Sequence, residues 1–391
     1  MLLHLASDEK FIDHVINVFE QINLNDNKYL IPSFSKKLKY VKSKNANIVH
    51  TSLCSDEYKR IINNLGQFDG IIVHNLYDEY KKEILTQLNK KIHVHWMSWG
   101  TDLYFIPQLR NNLIAPYTRK KTTDKKIPLT VIKFKGWFQW SFKNLANIYH
   151  LLKGNREGYY KSKQLIRAIN SFSTVIPEES KFVFRYLSRH PIYLPFKYAM
   201  IKETNGDDDI CKNSNFLIGN SATITNNHFD TFNELRMLRR SNLKFYTPLS
   251  YGNEYYAKIV IREGKLIFED RFIPLTTYVS IDNYNKLLNN CGNVVMNHIR
   301  QQALGTILIS LWKGARIFLN PKNPLYRFFI INGIMVFKIK DIKNIQNLPR
   351  FKVLAEMNRP KLLNMYGESN VLNETKMLVE YIKKQKSSHD T

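Results

Sequence analysis

Residues 1–6 (MLLHLA) are an apolar run, Ser7 and Asp8 break it, and apolar residues then recur at Phe11, Val15, Ile16 and Phe19. An apolar run of strand length followed by a 3.6-residue period predicts strand, loop and helix. The alternation repeats, with predicted strands at 48–51, 70–74 and 92–96 and predicted helices at 56–65 and 77–88. Strands alternating with helices predict a parallel sheet, because parallel neighbours need a crossover that is usually a helix. A helical pattern at 162–168 precedes a predicted strand at 171–176. Pro177-Glu178-Glu179 then opens a helix that stops before His190-Pro191, since proline suits the first helical turn and disfavours helix in the residue before it.

The polar, charge-dense run 202–214 (KETNGDDDICKNS) reads as a linker. A second α/β set follows, with strands at 215–218, 243–247 and 293–296 and a helix at 229–240. Gly264 reads as a helix cap, and Ser280 with Asp282 opens another helix. Residues 297–320 (NHIRQQALGTILISLWKGARIFLN) are polar, then amphipathic, then apolar after Lys313-Gly314. That order predicts a loop, a helix, a glycine cap and a buried strand at 315–319. NPKNPLY (320–326) reads as a turn, and 368–384 as the terminal helix. The predicted organisation is an N-terminal domain (1–200), a linker (201–214), a second domain (215–365) and a C-terminal helix and tail (366–391). No internal repeat of 20–50 residues appears.

At 391 residues, 44% of them hydrophobic, the chain is long enough for two domains with separate cores. A net charge of +25 implies an anionic partner, whether nucleic acid, lipid headgroup or phosphorylated substrate. The basic residues are spread along the chain with no helix-turn-helix, RRM, KH or zinc pattern, which argues against nucleic acid. Cys54, Cys211 and Cys291 lie far apart, giving neither a disulfide framework nor a zinc site and suiting a reducing compartment. Acidic residues at 8 and 9 come too early for a signal peptide. The longest apolar run, 328–337, is broken by Asn332 and Gly333 and falls far short of the ~20 residues that span a bilayer. These features predict a cytoplasmic protein, soluble or peripheral on a membrane.

Candidate chemistry gathers where loops follow strands. Arg300, Gln301 and Gln302 precede the predicted helix, where free N–H groups and the positive end of the helix dipole favour an anion. Gly305 would let a phosphate approach the backbone, with the Thr306 hydroxyl beside it. An ordinary α/β helix with a polar lead-in is the plain alternative. GNSATITNNH (219–228) is a second strand-end loop able to hold a phosphate or sugar. It lacks the G-x-G-x-x-G fingerprint of a dinucleotide site. Tyr251 in PLSYG would stack on a base or simply pack.

In the first set, Ser7 and Asp8 follow a strand, as do His74 in GIIVHN and His93, His95 and Asp102 in HVHWMSWGTDLY. An imidazole or carboxylate there is a candidate general base, although core histidines and a helix-capping Asp are the plain readings. Between residues 120 and 152, lysines including Lys133 and Lys135 interleave with aromatics including Trp137 and Trp140. That mixture suits an anionic lipid surface. It would also stack on single-stranded nucleic acid, or form an ordinary packed helix.

Two α/β domains with anion-binding loops in the second is the GT-B plan of glycosyltransferases. LIGNSATITNNH, PLSYG, NHIRQQALGT and LNPKNP, in that order, together with WGTDLY, resemble the bacterial family-56 glycosyltransferases. That family transfers Fuc4NAc from its TDP-linked donor to an undecaprenyl-diphosphate-linked disaccharide in enterobacterial common antigen synthesis. The resemblance implies two Rossmann-like domains facing a cleft. It places Gly219, Asn220, Ser221, Asn226, His228 and Tyr251 on the nucleotide-sugar side, and Arg300, Gln301, Gln302, Gly305 and Thr306 around the diphosphate. Trp99, Gly100, Asp102 and Tyr104 would face the acceptor, with the Ser7-Asp8 loop also on that side.

The implied activity is a hexosyltransferase using a Fuc4NAc- or fucose-like sugar, a lipid-linked glycan acceptor and the inner face of the plasma membrane. No cofactor or metal is expected, because Arg300 and the helix N-terminus would themselves stabilise the leaving diphosphate. The one Asp cluster, 207–209, sits in the predicted linker. Asp102 is the expected base, with His74 second, if the reaction inverts configuration; a retaining reaction needs none. An inactive scaffold of the same fold and a nucleic-acid-binding protein are the competing readings.

Overall fold

A computed structural model describes residues 1–387 except 10, 34–36, 45, 77, 89–91, 105–112, 125–167, 187–190 and 202–209. The chain divides into two compact units, one of Met1–Ile106, Tyr149–Met200 and Met365–Thr391 and the other of Pro107–Ile148 and Ile201–Asn364. The first holds strands β1 (Leu2–Leu5), β2 (Asn27–Pro32), β3 (Ile48–Thr51), β4 (Gly70–His74), β5 (Val94–Met97), β6 (Ser171–Ser173) and β7 (Ile192–Tyr193). They form one sheet in the order β3-β2-β1-β4-β5-β6-β7, and every pairing is parallel.

Helices α1 (Ile12–Ile22), α2 (Asp56–Asn63), α3 (Glu79–Gln87) and α4 (Thr101–Tyr104) follow in chain order. Next come α5 (Pro116–Asp124), which groups with the second unit, and α6 (Ser180–Tyr186). The central strands are covered on both faces, so β1 and β4 are wholly buried and read as continuous apolar runs. The closing helix, Glu368–Ser387, returns to this unit. Its Leu378, Val379 and Ile382 join Leu2, Val15, Val18 and Phe19 in one core.

The second unit holds β8 (Phe216–Ile218), β9 (Phe245–Pro248), β10 (Phe272–Leu275), β11 (Asn293–Met296), β12 (Arg316–Leu319) and β13 (Phe337–Lys338). Their order is β10-β9-β8-β11-β12-β13, again all parallel. Helices α7 (His228–Leu235), α8 (Glu254–Phe268), α9 (Ile281–Asn289), α10 (Leu304–Trp312), α11 (Pro324–Ile331) and α12 (Phe351–Tyr366) accompany them.

Several sequence expectations need correction. Gly264 is no cap but lies inside α8, where a Cβ would come within 2.4 Å of the Phe272 ring. The helix instead ends at Glu269, with φ 55°. The stretch 320–326 holds the expected turn at 321–322, but it runs straight into α11, where the Asn323 side chain accepts the Leu325 N–H and Pro324 occupies the first turn. Strand β2 escapes the pattern because its apolar centre is only Tyr29–Leu30–Ile31, flanked by Asn27 and Pro32. Within the expected linker, Cys211 is buried and its N–H donates to the Lys313 carbonyl at 3.0 Å.

In both sheets the chain builds outward in one direction and then reverses. The reversal falls between β1 and β4 in the first sheet and between β8 and β11 in the second. At such switch points the loops leaving the carboxyl ends of adjacent strands part, and the gap between them is where open α/β sheets bind ligands.

Candidate functional site

At the switch point of the second sheet, β8 ends in Gly219, whose φ of 67° is left-handed and whose N–H donates to Val295 at 2.9 Å. A Cβ here would sit 2.5 Å from Asn226 Oδ1 and 2.9 Å from His228 Nε2, so only glycine fits. Asn226 is the hub of the loop. Its Oδ1 accepts the Asn220 N–H at 2.8 Å and lies 2.8 Å from His298 Nε2. Its Nδ2 donates to Ser221 Oγ (3.1 Å) and Thr223 Oγ1 (2.7 Å). An amide oxygen can only accept, so His298 carries its proton on Nε2.

Gln302 extends the network, donating to Asn220 Oδ1 at 2.8 Å and accepting from Thr225 Oγ1 at 3.1 Å. Asn220 Nδ2 in turn donates to the hydroxyl of Tyr251, whose side chain is half exposed. Both imidazoles are neutral. Burial holds His228 near pKa 3, and burial together with the Arg300 charge holds His298 well below its ordinary value. His228 Nδ1 meets the Tyr256 hydroxyl at 3.1 Å, while His228 Nε2 and His298 Nδ1 are buried with no hydrogen-bond partner among the described residues.

Arg300 and Gln301 are largely buried in the loop before α10. Ala303, at φ 61°, turns the chain into that helix. A Cβ on Gly305 would meet nothing within 4 Å, so open space faces the first turn, where unbonded N–H groups point outward. The Thr306 hydroxyl lies near that of Tyr284 in α9. Neither 219–228 nor 297–306 contains an acidic residue. All eleven residues expected on the donor side thus lie on the elements around this one switch point, within a single unit.

Sequence reading passed over Asn227, Asn297 and His298. Asn227 (φ 52°) donates to the Asn297 carbonyl at 2.7 Å and accepts the Ala115 N–H at 2.7 Å, tying the two loops to the lead-in of α5. Asn297 accepts from Asn320 at 2.8 Å. Asn297 and His298 could have been found as polar residues directly after a buried strand; Asn227, which follows the turn 224–226, carries no such signal.

The first switch point is ionic. Lys81 Nζ, with no exposed side-chain surface, lies 2.5 Å from Asp78 Oδ2. It also donates to Ser7 Oγ (2.9 Å), the His74 carbonyl (2.5 Å) and Asn75 Oδ1 (3.2 Å). Ser7 Oγ donates to Asp78 at 2.5 Å. Burial works to raise Asp78, but Lys81 and Ser7 hold it below the usual carboxylate range.

The expected acceptor-side residues divide. Asp8 braces the chain beyond β2, accepting the N–H groups of Lys39, Tyr40 and Val41 at 2.6–3.0 Å. Trp99 packs on Phe11 and stacks on His74, with ring centroids 4.2 and 6.0 Å away. Gly100 takes a φ of 83° at the start of α4. Tyr104 is buried edge-on against Phe182.

Of the expected bases, His74 is buried with Nε2 3.0 Å from His4 Nδ1, and burial keeps it neutral. Asp102 accepts from Trp96 Nε1 (2.7 Å), Ser98 Oγ (2.9 Å) and the N–H groups of Trp99 and Leu103 (3.1 Å each). Burial raises its pKa against those bonds. The core histidines His93 and His95 bond Ser171 and Ser173.

One residue was missed outright. Glu9 follows Asp8, and burial raises its carboxyl to about 7 despite the nearby Lys81 charge, with Asp78, Asp102 and Asp8 adding to the rise. Lys133, Lys135, Trp137 and Trp140 lie outside the described residues. Among the described residues, no helix is long and apolar enough to cross a membrane, and no group of three or more His, Cys, Asp or Glu is arranged to hold a metal ion.

Residues 183–363 match the family model described as 4-alpha-L-fucosyltransferase, glycosyl transferase group 56. Over that segment the chain is similar to the group 56 glycosyltransferases. It is a glycosyltransferase of the GT-B fold. The fold is shared with HepE of Anabaena in complex with UDP, at 9% identity and a TM-score of 0.64 over 98% of this chain and 99% of that one. Sucrose-phosphate synthase of Thermosynechococcus elongatus is similar at 8% identity and 0.62, over 97% and 98%. A glycosyltransferase of Rickettsia africae is similar at 10% identity and 0.60, over 98% of each chain.

Proposed function

We propose that this glycosyltransferase moves a deoxy or deoxyamino hexose, Fuc4NAc- or fucose-like, from a nucleoside-diphosphate donor of the TDP type. The acceptor is an undecaprenyl-diphosphate-linked oligosaccharide in bacterial surface-polysaccharide assembly, met by an enzyme peripheral on the inner face of the plasma membrane. The observation that carries the donor half is the acid-free switch point of the second sheet, where Arg300 and the start of α10 stand beside amide- and hydroxyl-lined loops.

A diphosphate leaving group gains negative charge as the anomeric C–O bond breaks. A guanidinium, N–H groups and amides already in place stabilise it without reorganisation. The neutral state of His228 and His298 adds no competing proton equilibrium near pH 7. In this reading Arg300 and the helix N-terminus take the role a divalent cation has in other transferases, so the reaction is written without a metal. Tyr251, half exposed and bonded to Asn220, is the residue assigned to stack on the base.

The test is thermal stabilisation across TDP, UDP, GDP, ADP and CMP. A ligand at ~100 times its Kd stabilises the folded state by about 2.7 kcal/mol. Selective stabilisation by TDP is expected. The HepE structure with UDP makes UDP the informative alternative, which would keep the reaction and change the donor. No response to any nucleotide would overturn the donor-site assignment.

A further inference from the structure

Four carboxylates are neighbours at the carboxyl edge of the first sheet: Asp8, Glu9, Asp78 and Asp102. Three are committed to the fold. Asp8 holds three backbone N–H groups, Asp78 is bonded by Lys81 and Ser7, and Asp102 receives four donors. Glu9 differs. Among the described residues its carboxylate accepts no hydrogen bond, and the residue is partly rather than fully buried. It sits in the loop leaving β1, beside the β1–β4 switch point, where the sheet topology places a ligand.

Resting on the glycosyl-transfer reading above, we propose that Glu9 is the general base that takes the proton from the acceptor hydroxyl. In the step it performs, the acceptor O–H proton passes to the Glu9 carboxylate as the acceptor oxygen bonds to the anomeric carbon. The anomeric C–O bond to the diphosphate breaks in the same displacement, and its electron pair leaves with the nucleoside diphosphate. Glu9 then releases the proton to solvent. Attack opposite the leaving group inverts the anomeric configuration.

The surroundings suit the task. Among the described residues, the charged groups that bear on Glu9 are Lys81 of α3, Asp78 before it, Asp102 of α4 and Asp8 in its own loop. Burial and the three carboxylates outweigh the lysine and bring the carboxyl to about 7, where a general base is both deprotonated and basic enough to be useful. Asp102 is buried and receives four donors, three on Oδ1 and one on Oδ2, so it braces the Trp96–Leu103 turn in a way Glu9 does not.

The experiment is the transfer reaction over pH 5.5–8.5 with wild type, Glu9→Gln and Glu9→Asp, alongside nucleotide-induced thermal stabilisation of each. Glu9→Gln is expected to lower kcat by about 10²–10⁴-fold while nucleoside-diphosphate stabilisation stays at the wild-type value. Glu9→Asp should recover part of the rate. Wild-type kcat/KM should rise through an apparent pKa near 7, and that limb should be absent from Glu9→Gln. Near-wild-type turnover of Glu9→Gln, or a wild-type rate flat across this range, overturns the assignment. A wild type that neither binds a nucleotide nor transfers sugar fails the functional reading instead, and the nucleotide panel tells the two failures apart.

Discussion

The two units repeat one plan, a parallel sheet whose strand order reverses beside its first strand, yet they furnish the reversal with opposite chemistry. In the first unit the gap is ionic, with a fully buried Lys81 compensated by Asp78 and three further carboxylates around it. In the second, the two flanking loops hold no acid at all; Asn226 bonds neutral His298, Gln302 bonds Asn220, and Arg300 is their one cationic side chain. The difference follows from what each loop pair must face. A site for a diphosphate gains from excluding carboxylates, because every nearby anion would oppose the ligand. A site that removes a proton needs a carboxylate, and a cluster of them keeps one basic. In the proposed reading, equivalent topology sets where a ligand goes, and the local charge sets which half of the reaction each site serves.

Acid gives the largest expected effect. Burial holds His4 and His228 near pKa 3, and His74, His95 and His298 well below 6.5. Their folded-state values lie below the unfolded one, so the stability they permit is complete above pH 6.5 and is lost as pH falls. At pH 5 a group shifted from 6.5 to 3 costs on the order of 2 kcal/mol. His4 and His228 then remove about 4 kcal/mol between them, one in each unit. Thermal melts at pH 7.5, 6 and 5 should fall steeply. Glu9, raised to about 7, works in the opposite sense over the window from about pH 7 down to its ordinary value. A flat Tm between pH 7.5 and 5 would remove the neutral-imidazole half of the comparison.

Lys81→Met sharpens the ionic half. It strips Asp78 of its counter-charge, a class of change that costs about 3–5 kcal/mol. Asp78 is a quarter exposed, so the lower end is expected. Denaturant melts should show that loss, and the nucleotide affinity of the folded fraction should be unchanged. Loss of nucleotide binding without loss of stability would contradict the division of labour.

Arg300→Ala tests the other half. Its expected cost is in turnover, about a hundredfold or more, the scale of losing one transition-state donor. That corresponds to about 2.7 kcal/mol of barrier. A variant turning over at the wild-type rate would take the loop before α10 out of the donor site.

The legibility of these regions in the sequence was uneven for physical reasons. Buried parallel strands announce themselves as short, largely apolar runs, so β1, β4 and β11 could be read directly. Strand β2 could not, because half of its six residues are Asn27, Lys28 and Pro32, and only pairing with both β1 and β3 makes it a strand. Gly264 read as a stop because glycine often ends helices, whereas here its missing side chain makes room for Phe272 from a strand that the pattern had not revealed. The donor loops were visible as glycine- and amide-rich stretches after strands. Their cross-links, such as Asn226 to His298 across 72 residues, were not.

What the sequence determined by itself was local: which runs are buried, where strands give way to loops, that the chain is strongly basic, and that two of its loops lack acids. Periodicity and composition carry that information because each depends only on neighbouring residues. Tertiary structure alone decided the strand order, and with it which loops meet at each reversal. It also decided the protonation chemistry. Asp8, Glu9 and Asp102 look equivalent as acids in a chain, but desolvation and hydrogen bonding are set by what the fold brings beside them. The fold satisfies two of those carboxylates and leaves Glu9 without a hydrogen-bond donor among the described residues, its pKa raised by burial.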